Sequence, residues 1–259
     1  MTGDDQALLA ALPGWAFAFV LVLSRAGAAV MLLPGFGESE PPAMLRAGFA
    51  VALTVLLLPV VQPALPAMPD DAWRLAGIVL TELLAGGLLG FLARLVALAL
   101  PIAGQFVSSL VGLSNVLQPD AVFGGQGTAL TRLFGLAAPV LFLGTGLYAL
   151  PLSALAGSYQ AIPPGTLLSA GDATESVVRA VGASFALALR LAAPFVLAGL
   201  VWQVALGLLA RLVPNLQVFF VAQPGQILGG LLLLALVAAR VLGAWTDAAH
   251  TALASPPGL

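Results

Sequence analysis

Long apolar stretches, separated by short clusters of proline, glycine and polar residues, dominate the chain. A helix needs about 20 apolar residues to cross the hydrocarbon core of a bilayer, which is about 30 Å thick. Six stretches approach or exceed that length, and they cover residues 8–33, 44–61, 75–100, 130–155, 177–212 and 216–245. Strand-like alternation is absent, and a lipid-facing segment must be either helical or part of a closed barrel. The pattern therefore predicts an all-α integral membrane protein.

Prolines interrupt several of these stretches. Pro101, Pro139, Pro151 and Pro194 each remove a backbone donor that lipid cannot replace. The fifth stretch is too long for one straight crossing and carries Pro194 near its middle. We therefore expect kinked helices and helical hairpins, with a kink or a hairpin in the fifth stretch, packed against other helices in a larger assembly.

Four charged residues lie inside apolar sequence: Arg25, Glu82, Arg94 and Arg190. An arginine facing lipid at mid-depth costs about 2.5–3.5 kcal/mol on insertion scales, so these groups should face protein or water. Glu82 and Arg94 would lie about 120° apart around one helix and should not pair with each other. We predict that all four make polar contacts between helices or between subunits. Glu82 retains a second interpretation, as a proton-titrating or ion-coupling carboxylate.

Two G-x-x-x-G patterns occur, Gly86 with Gly90 and Gly225 with Gly229. Small residues one turn apart allow helix backbones to approach closely. In a chain with 29 glycines such pairs also arise by chance. Close helix packing at these two places is one interpretation, and chance occurrence of the pattern is the other.

The composition excludes whole classes of function. Hydrophobic residues make up 61% of the 259 residues and charged residues 8%, which a water-soluble fold could not accommodate. All nine basic residues are arginine, cysteine is absent, and His250 is the single histidine. Lysine or thiol chemistry, a histidine-rich metal site and a buried catalytic triad are thus excluded. A net charge of −2 gives no reason to expect nucleic acid. The sequence predicts a non-enzyme with no cofactor and no metal.

Residues 112–128 form a polar, glycine-rich segment between two apolar stretches. Gly124, Gly125 and Gly127 permit left-handed backbone angles, Pro119 stiffens the other half, and Phe123 adds one bulky apolar group. An ordinary hydrophilic loop is the simplest interpretation. A loop that is ordered in one state and moves in another has the same ingredients.

Three groups of residues, in this order and spacing, resemble the FliR family of flagellar type III export-gate proteins and their injectisome counterparts. The first group resembles the family's opening helix and first connection, and consists of Arg25, Pro34, Gly35, Pro42 and Arg46. The second resembles the central loop, and consists of Gly112, Leu113, Ser114, Pro119 and Gly127. The third resembles the C-terminal signature, and consists of Arg211, Pro214, Gln217, Val218, Phe219, Phe220 and Pro224.

The resemblance implies a single FliR-like membrane domain over residues 1–259, part of a helical gate built with FliP and FliQ. Unfolded flagellar substrates would cross this gate, assisted by FlhA and FlhB, in the bacterial inner membrane at the flagellar basal body. It also implies that the central loop plugs the pore, with Gly112, Pro119, Asp120, Phe123, Gly124, Gly125 and Gly127 as its candidate residues. The segment from Arg211 to Pro224 would be an assembly motif, with Pro214, Gln217, Phe219 and Phe220 between them.

Two other functions are compatible with parts of the sequence. A secondary transporter with broken helices would use Glu82 as its coupling carboxylate. An intramembrane serine enzyme has less support, because Ser108, Ser109 and Ser114 lack a visible base and no G-x-S-x-G motif is present.

Overall fold

The computed structural model describes residues 3–38, 40–113, 128–212 and 218–254. Within these ranges the regular structure is helical, and a short 3₁₀ turn, Gln62–Ala64, follows the second helix. The helices are α1 (Gly3–Leu32), α2 (Ala43–Val61), α3 (Ala72–Val111), α4 (Ala129–Gly144), α5 (Ala149–Ala161), α6 (Ala170–Leu212) and α7 (Val218–Ala254). The predicted all-α membrane fold is confirmed.

Five helices of the described chain, α1, α2, α3, α6 and α7, are long and apolar enough to cross a membrane. The pair α4 and α5 would provide a sixth span if the two helices are counted as one broken crossing. The sequence has six apolar stretches, and six is also the larger of the two possible numbers of membrane spans.

The fourth apolar stretch is divided between two helices, α4 and α5. Helix α4 ends at Gly144, where the Thr145 hydroxyl donates a 2.6 Å hydrogen bond to the Leu141 carbonyl. Gly146 follows with a φ of +78°, a left-handed conformation that side chains other than hydrogen disfavour. The helix is thus interrupted at this turn although the apolar composition continues through residues 130–155.

The fifth stretch lies in one continuous helix. Helix α6 has 43 residues and continues through Pro194, so it is about 65 Å long at 1.5 Å per residue. The hairpin alternative for this stretch is therefore wrong. Pro101 in α3 and Pro139 in α4 are also accommodated inside helices.

The chain forms two compact units. The first comprises Met1–Leu95, Gly146–Ala180 and Ala252–Leu259. Its core brings α1 residues Ala26 and Ala29 together with Leu89 of α3 and Leu155 of α5. Beside these, Val22 of α1 packs with Val61 and Tyr159. Helix α1 thus supplies apolar side chains to both of these clusters.

The second unit comprises Val96–Thr145 and Val181–Thr251. The buried residues of its core cluster come from α3, α4 and α6 and the segment after α3, and they are Val107, Val111, Leu113, Leu130, Ala192 and Phe195. Helix α7 packs against this cluster through residues such as Leu234 and Val237. The fully buried Trp245 indole donates a hydrogen bond to the Val96 carbonyl at 3.3 Å, which joins α7 to α3.

Candidate functional site

A buried ion pair joins α1 to α3 in the first unit. Arg25 Nε donates to Glu82 Oε2 at 2.8 Å, and Arg25 Nη2 donates to Glu82 Oε1 at 3.0 Å. Both residues have 0% of their surface exposed. Two parallel N–H···O bonds make a bidentate contact, the strongest form of arginine–carboxylate pair. The sequence singled out both residues but did not identify them as partners.

The remaining donors of Arg25 bind the end of α5. Nη1 donates to Ser158 Oγ at 3.2 Å and to the Ile162 carbonyl at 3.1 Å, and Nη2 donates to the same carbonyl at 3.1 Å. The guanidinium also lies over the Tyr159 ring, 4.3 Å from its centroid. Five hydrogen bonds use the five N–H groups of the side chain. No donor of Arg25 is left for a substrate.

Glu82 also holds the turn after α5. The backbone N–H of Gly165 donates to Glu82 Oε1 at 3.0 Å. The turn is closed by a 3.1 Å bond from the Thr166 N–H to the Pro163 carbonyl, and Gly165 has a φ of +80° that favours glycine. We call Arg25, Glu82, Ser158, Ile162 and Gly165 the buried clamp. It fastens α1, α3 and the end of α5 to one another.

Glycines on α3 allow α1 to approach the clamp. A Cβ atom on Gly86 would overlap the backbone carbonyl of Arg25, and one on Gly90 would lie 2.5 Å from the Ala29 oxygen. The first G-x-x-x-G pattern therefore marks a close contact between helix backbones. The second differs, because a Cβ on Gly225 would be in ordinary contact with Trp202 at 3.4 Å, and one on Gly229 would meet nothing within 4 Å.

The other two predicted polar contacts have different surroundings. Arg94 Nη2 donates to Glu38 Oε2 at 3.1 Å, and both side chains are about one quarter exposed. Arg190 is exposed on α6, and in the described part of the chain its guanidinium makes no hydrogen bond or ion pair. Its predicted polar contact with another helix or another subunit stays a prediction.

Both ends of the predicted plug loop are anchored in the second unit. Helix α3 ends with Gly112 at a φ of +82°, and the Leu113 N–H donates to the Ser108 carbonyl at 2.9 Å, as in a Schellman cap. The Gln226 amide of α7 donates to the Leu110 carbonyl at 2.9 Å. At the other end, the Thr128 hydroxyl accepts from the Thr131 N–H and caps α4.

Most of the predicted plug and part of the assembly motif lie outside the described residues. Those of the plug are Pro119, Asp120, Phe123, Gly124, Gly125 and Gly127, and those of the assembly motif are Pro214 and Gln217. Arg211 is exposed in the last turn of α6, and Phe220 and Pro224 are exposed near the start of α7. Phe219 belongs to α7. Their roles stay predictions.

The sequence-based interpretation missed the clamp residues Ser158, Ile162 and Gly165, and the arginine partner Glu38. The Pro163–Pro164–Gly165 sequence predicts a turn, but no local signal shows that the turn meets Glu82. Among the described residues there is no group of three or more His, Cys, Asp or Glu that could hold a metal. Chemically, the clamp is suited to fastening helices rather than to transferring a proton or a group.

Comparison with known proteins gives consistent matches. The model of the family described as bacterial export proteins, family 1, matches residues 16–252. The flagellar biosynthetic protein FliR of Caulobacter vibrioides is 35% identical over 227 residues, which are 88% of this chain and 90% of that protein. FliR of Bacillus subtilis is 30% identical, covering 81% and 82% of the two chains. The secretion system apparatus protein SsaT of Salmonella typhimurium is 29% identical, also covering 81% and 82%.

Proposed function

Because the chain belongs to the bacterial export proteins, family 1, we propose that it is a structural subunit of the flagellar type III export gate. The observation that carries the proposal is a match over residues 16–252, together with relatives named for flagellar biosynthesis and for a secretion apparatus. In general terms, the chain is a membrane-spanning component of a type III export apparatus. More specifically, we propose that the chain forms a pore together with FliP-like and FliQ-like subunits. Unfolded flagellar substrates would cross the inner membrane through this pore.

The buried clamp supports a structural rather than an enzymatic role. Its five arginine donors are used, and both carboxylate oxygens of Glu82 accept hydrogen bonds. Removing one partner of such a buried pair costs about 3–5 kcal/mol, because the other charge is left uncompensated. The clamp therefore fixes the shape of the first unit, as a subunit that must fit its neighbours requires.

Exposed apolar helices support membership of a larger membrane assembly. In the first unit, helices α2 and α3 leave large apolar side chains outside the core of this chain, among them Leu56, Val60, Leu80 and Leu84. Such surfaces need lipid or other subunits to cover them. We propose that FliP-like and FliQ-like subunits cover part of this surface, that FlhA and FlhB act beside the gate, and that the assembly lies at the flagellar basal body.

We also propose that residues 112–128 are the plug of the pore. The described ends of this segment support the proposal, since Gly112 and Leu113 are held by the cap of α3, and Thr128 by the cap of α4. Two fixed ends would let the segment between them change conformation without disturbing the helices.

The surroundings of Glu82 do not support the transporter alternative. A coupling carboxylate must exchange protons or ions with water, whereas Glu82 is fully buried and held by Arg25 and Gly165. The structure therefore favours the ion-pair interpretation of Glu82 over the coupling interpretation.

Deletion of the gene in its native bacterium, with a plasmid copy as the control, tests the proposed function. The amount of flagellar protein exported to the medium should fall to background in the deletion strain and return with the plasmid. Purified chain alone in liposomes should move no small solute in response to a proton gradient. Undiminished export without the gene, or proton-driven solute transport by the chain alone, would overturn the proposal.

A further inference from the structure

Arg46, near the start of α2, carries a buried polar atom that has no partner. The residue is half-buried, and its Nε atom is shielded from solvent and makes no hydrogen bond. Within the described ranges its guanidinium forms no ion pair either. Buried polar groups are almost always paired in native structures, and a buried charge without a partner is costly. An acceptor for Arg46 is therefore missing from the isolated chain.

The helix geometry places Arg46 beyond the end of α1. At 100° per residue, Arg46 lies on the same face of α2 as Ala50 and Leu53. Ala50 is buried, and Leu53 packs against the cluster that contains Ala29 of α1. Arg46 is about 10 Å farther along α2 than Leu53, whereas α1 ends only three residues after Ala29. Its side chain is thus directed to the space above the last turn of α1.

The connection between α1 and α2 borders this space and is tightly folded. The Phe36 and Phe49 rings stack with their centroids 4.4 Å apart and their planes 5° from parallel. The Gly37 N–H donates to the Leu33 carbonyl at 2.8 Å, and a Cβ atom on Gly37 would overlap the Met31 carbonyl. Because the connection is fixed at both places, it cannot readily move an acceptor towards Arg46.

The acids of this connection do not neutralise Arg46. Glu38 accepts a hydrogen bond from Arg94 at 3.1 Å and is already paired. Glu40 is exposed, and in the described part of the chain it forms no ion pair with Arg46. A guanidinium can bind a carboxylate through two parallel hydrogen bonds. Arg46 therefore retains its full capacity for one more carboxylate.

Uncovered apolar side chains surround this charge. Met44 is 86% exposed and Leu45 66% exposed, and both lie within two residues of Arg46. Only three of the 19 residues of α2 are buried, namely Ala50, Thr54 and Val61. Arginine and large apolar residues are enriched at the centres of protein interfaces, whereas other charged residues are depleted there. The start of α2 has this composition.

We propose that Arg46 binds an aspartate or glutamate side chain of a neighbouring subunit, which docks on the start of α2. A carboxylate at the tip of a side chain can reach an Nε atom that solvent does not reach. A lipid phosphate is less suited, because it carries two bulky substituents. The inference rests on the proposed function, since it requires neighbouring subunits, and it adds the chemistry by which one of them is recognised.

Zero-length cross-linking tests the proposal, because the chain contains no lysine and Arg46→Lys introduces its single side-chain amine. A carbodiimide joins an amine only to a carboxylate that it contacts. The sample is the full chain with its co-purified subunits in native-lipid nanodiscs, and mass spectrometry identifies the peptides linked to position 46. Arg179→Lys is the positive control, since its amine should couple to Glu175 one turn away.

We expect position 46 to be linked to an acidic residue of a neighbouring subunit. In a second experiment, Arg46→Glu should lower the yield of that subunit, per amount of chain, at least about tenfold, because like charges then meet in the interface. Exchanging the partner's acid for arginine should restore the yield.

Three results would overturn the proposal. They are a link only to Glu38 or Glu40 of the same chain, no link at position 46 while the Arg179→Lys control reacts, and an unchanged subunit yield with Arg46→Glu. A lipid phosphate as the partner would give the second result. Each of the three leaves the proposed function intact, whereas the absence of co-purified subunits from the unaltered chain would contradict both.

Discussion

Arg25 and Glu82 bind each other through two hydrogen bonds of 2.8 and 3.0 Å in the interior of the first unit. They are 57 residues apart in sequence and lie on different helices, α1 and α3. Their contact also positions the end of α5, through Ser158 and Ile162. One ion pair thus determines how three helices of a very apolar chain are arranged.

Replacing Glu82 by glutamine should destabilise the protein by about 3–5 kcal/mol, because the Arg25 charge remains buried without its partner. The thermal midpoint of the detergent-solubilised protein measures the loss. The matched control is Glu175→Gln, which breaks the exposed pair of Glu175 with Arg179 and should cost about 0.5 kcal/mol or less.

A double variant, Arg25→Met with Glu82→Leu, should recover part of the lost stability, because apolar residues of similar size can replace the buried charges, while the Ile162 carbonyl and the Gly165 N–H lose their partners. If Glu82→Gln retains the normal thermal midpoint but abolishes export, Glu82 has a role in coupling and the clamp interpretation is contradicted.

Gly86→Ala should separate α1 from α3, because the added Cβ overlaps the Arg25 carbonyl. Overpacking of this kind costs about 1–3 kcal/mol. Gly87→Ala is the neighbouring control, since its Cβ meets nothing within 4 Å and alanine favours a helix by up to about 1 kcal/mol. Thermal unfolding of both variants in the same detergent gives the comparison. Equal midpoints for the two would show that the helices do not approach closely at Gly86.

Gln226→Leu should loosen the end of α3, because the Leu110 carbonyl loses its amide donor. A lost hydrogen bond of this type costs about 1 kcal/mol. Hydrogen exchange of the backbone amides at residues 107–113 should become about five times faster, with little change in α1. Gln203→Leu, at an exposed position of α6, is the control. Unchanged exchange at 107–113 in Gln226→Leu would contradict the anchoring role.

Deleting Gly124–Gly127 should leave the assembly intact and raise the leakage of ions through it, because a shortened segment cannot fill the proposed pore. Membrane depolarisation and the yield of co-purified partners measure the two effects. Deletion of the exposed Ala67 and Met68, between α2 and α3, is the control. A deletion strain that seals and exports like the wild type would contradict the plug proposal.

The helical fold could be predicted because membrane helices need long apolar stretches, and these are visible in the sequence. The interruption between α4 and α5 could not, since Gly146 adopts its left-handed conformation inside sequence that is apolar on both sides. The continuity of α6 through Pro194 was left open for a similar reason, because a proline can kink a helix or end it.

The candidate site was predicted as a set of residues and not as a structure. Burying Arg25 and Glu82 in apolar sequence requires partners, so their importance is visible in one sequence. Helical periodicity does not show which helices are neighbours, and it therefore gave no pairing. The Ile162 carbonyl and the Gly165 N–H belong to the backbone. Every residue has such groups, so the sequence does not show that these two bind Arg25 and Glu82.

The proposed function requires that the chain works as one subunit of a larger export conduit. Native mass spectrometry of the tagged full-length chain, extracted mildly from its own bacterium, is the decisive experiment. We expect a stable complex that contains FliP-like and FliQ-like subunits together with this chain. A stable, folded chain that leaves the membrane without any protein partner would contradict the subunit interpretation.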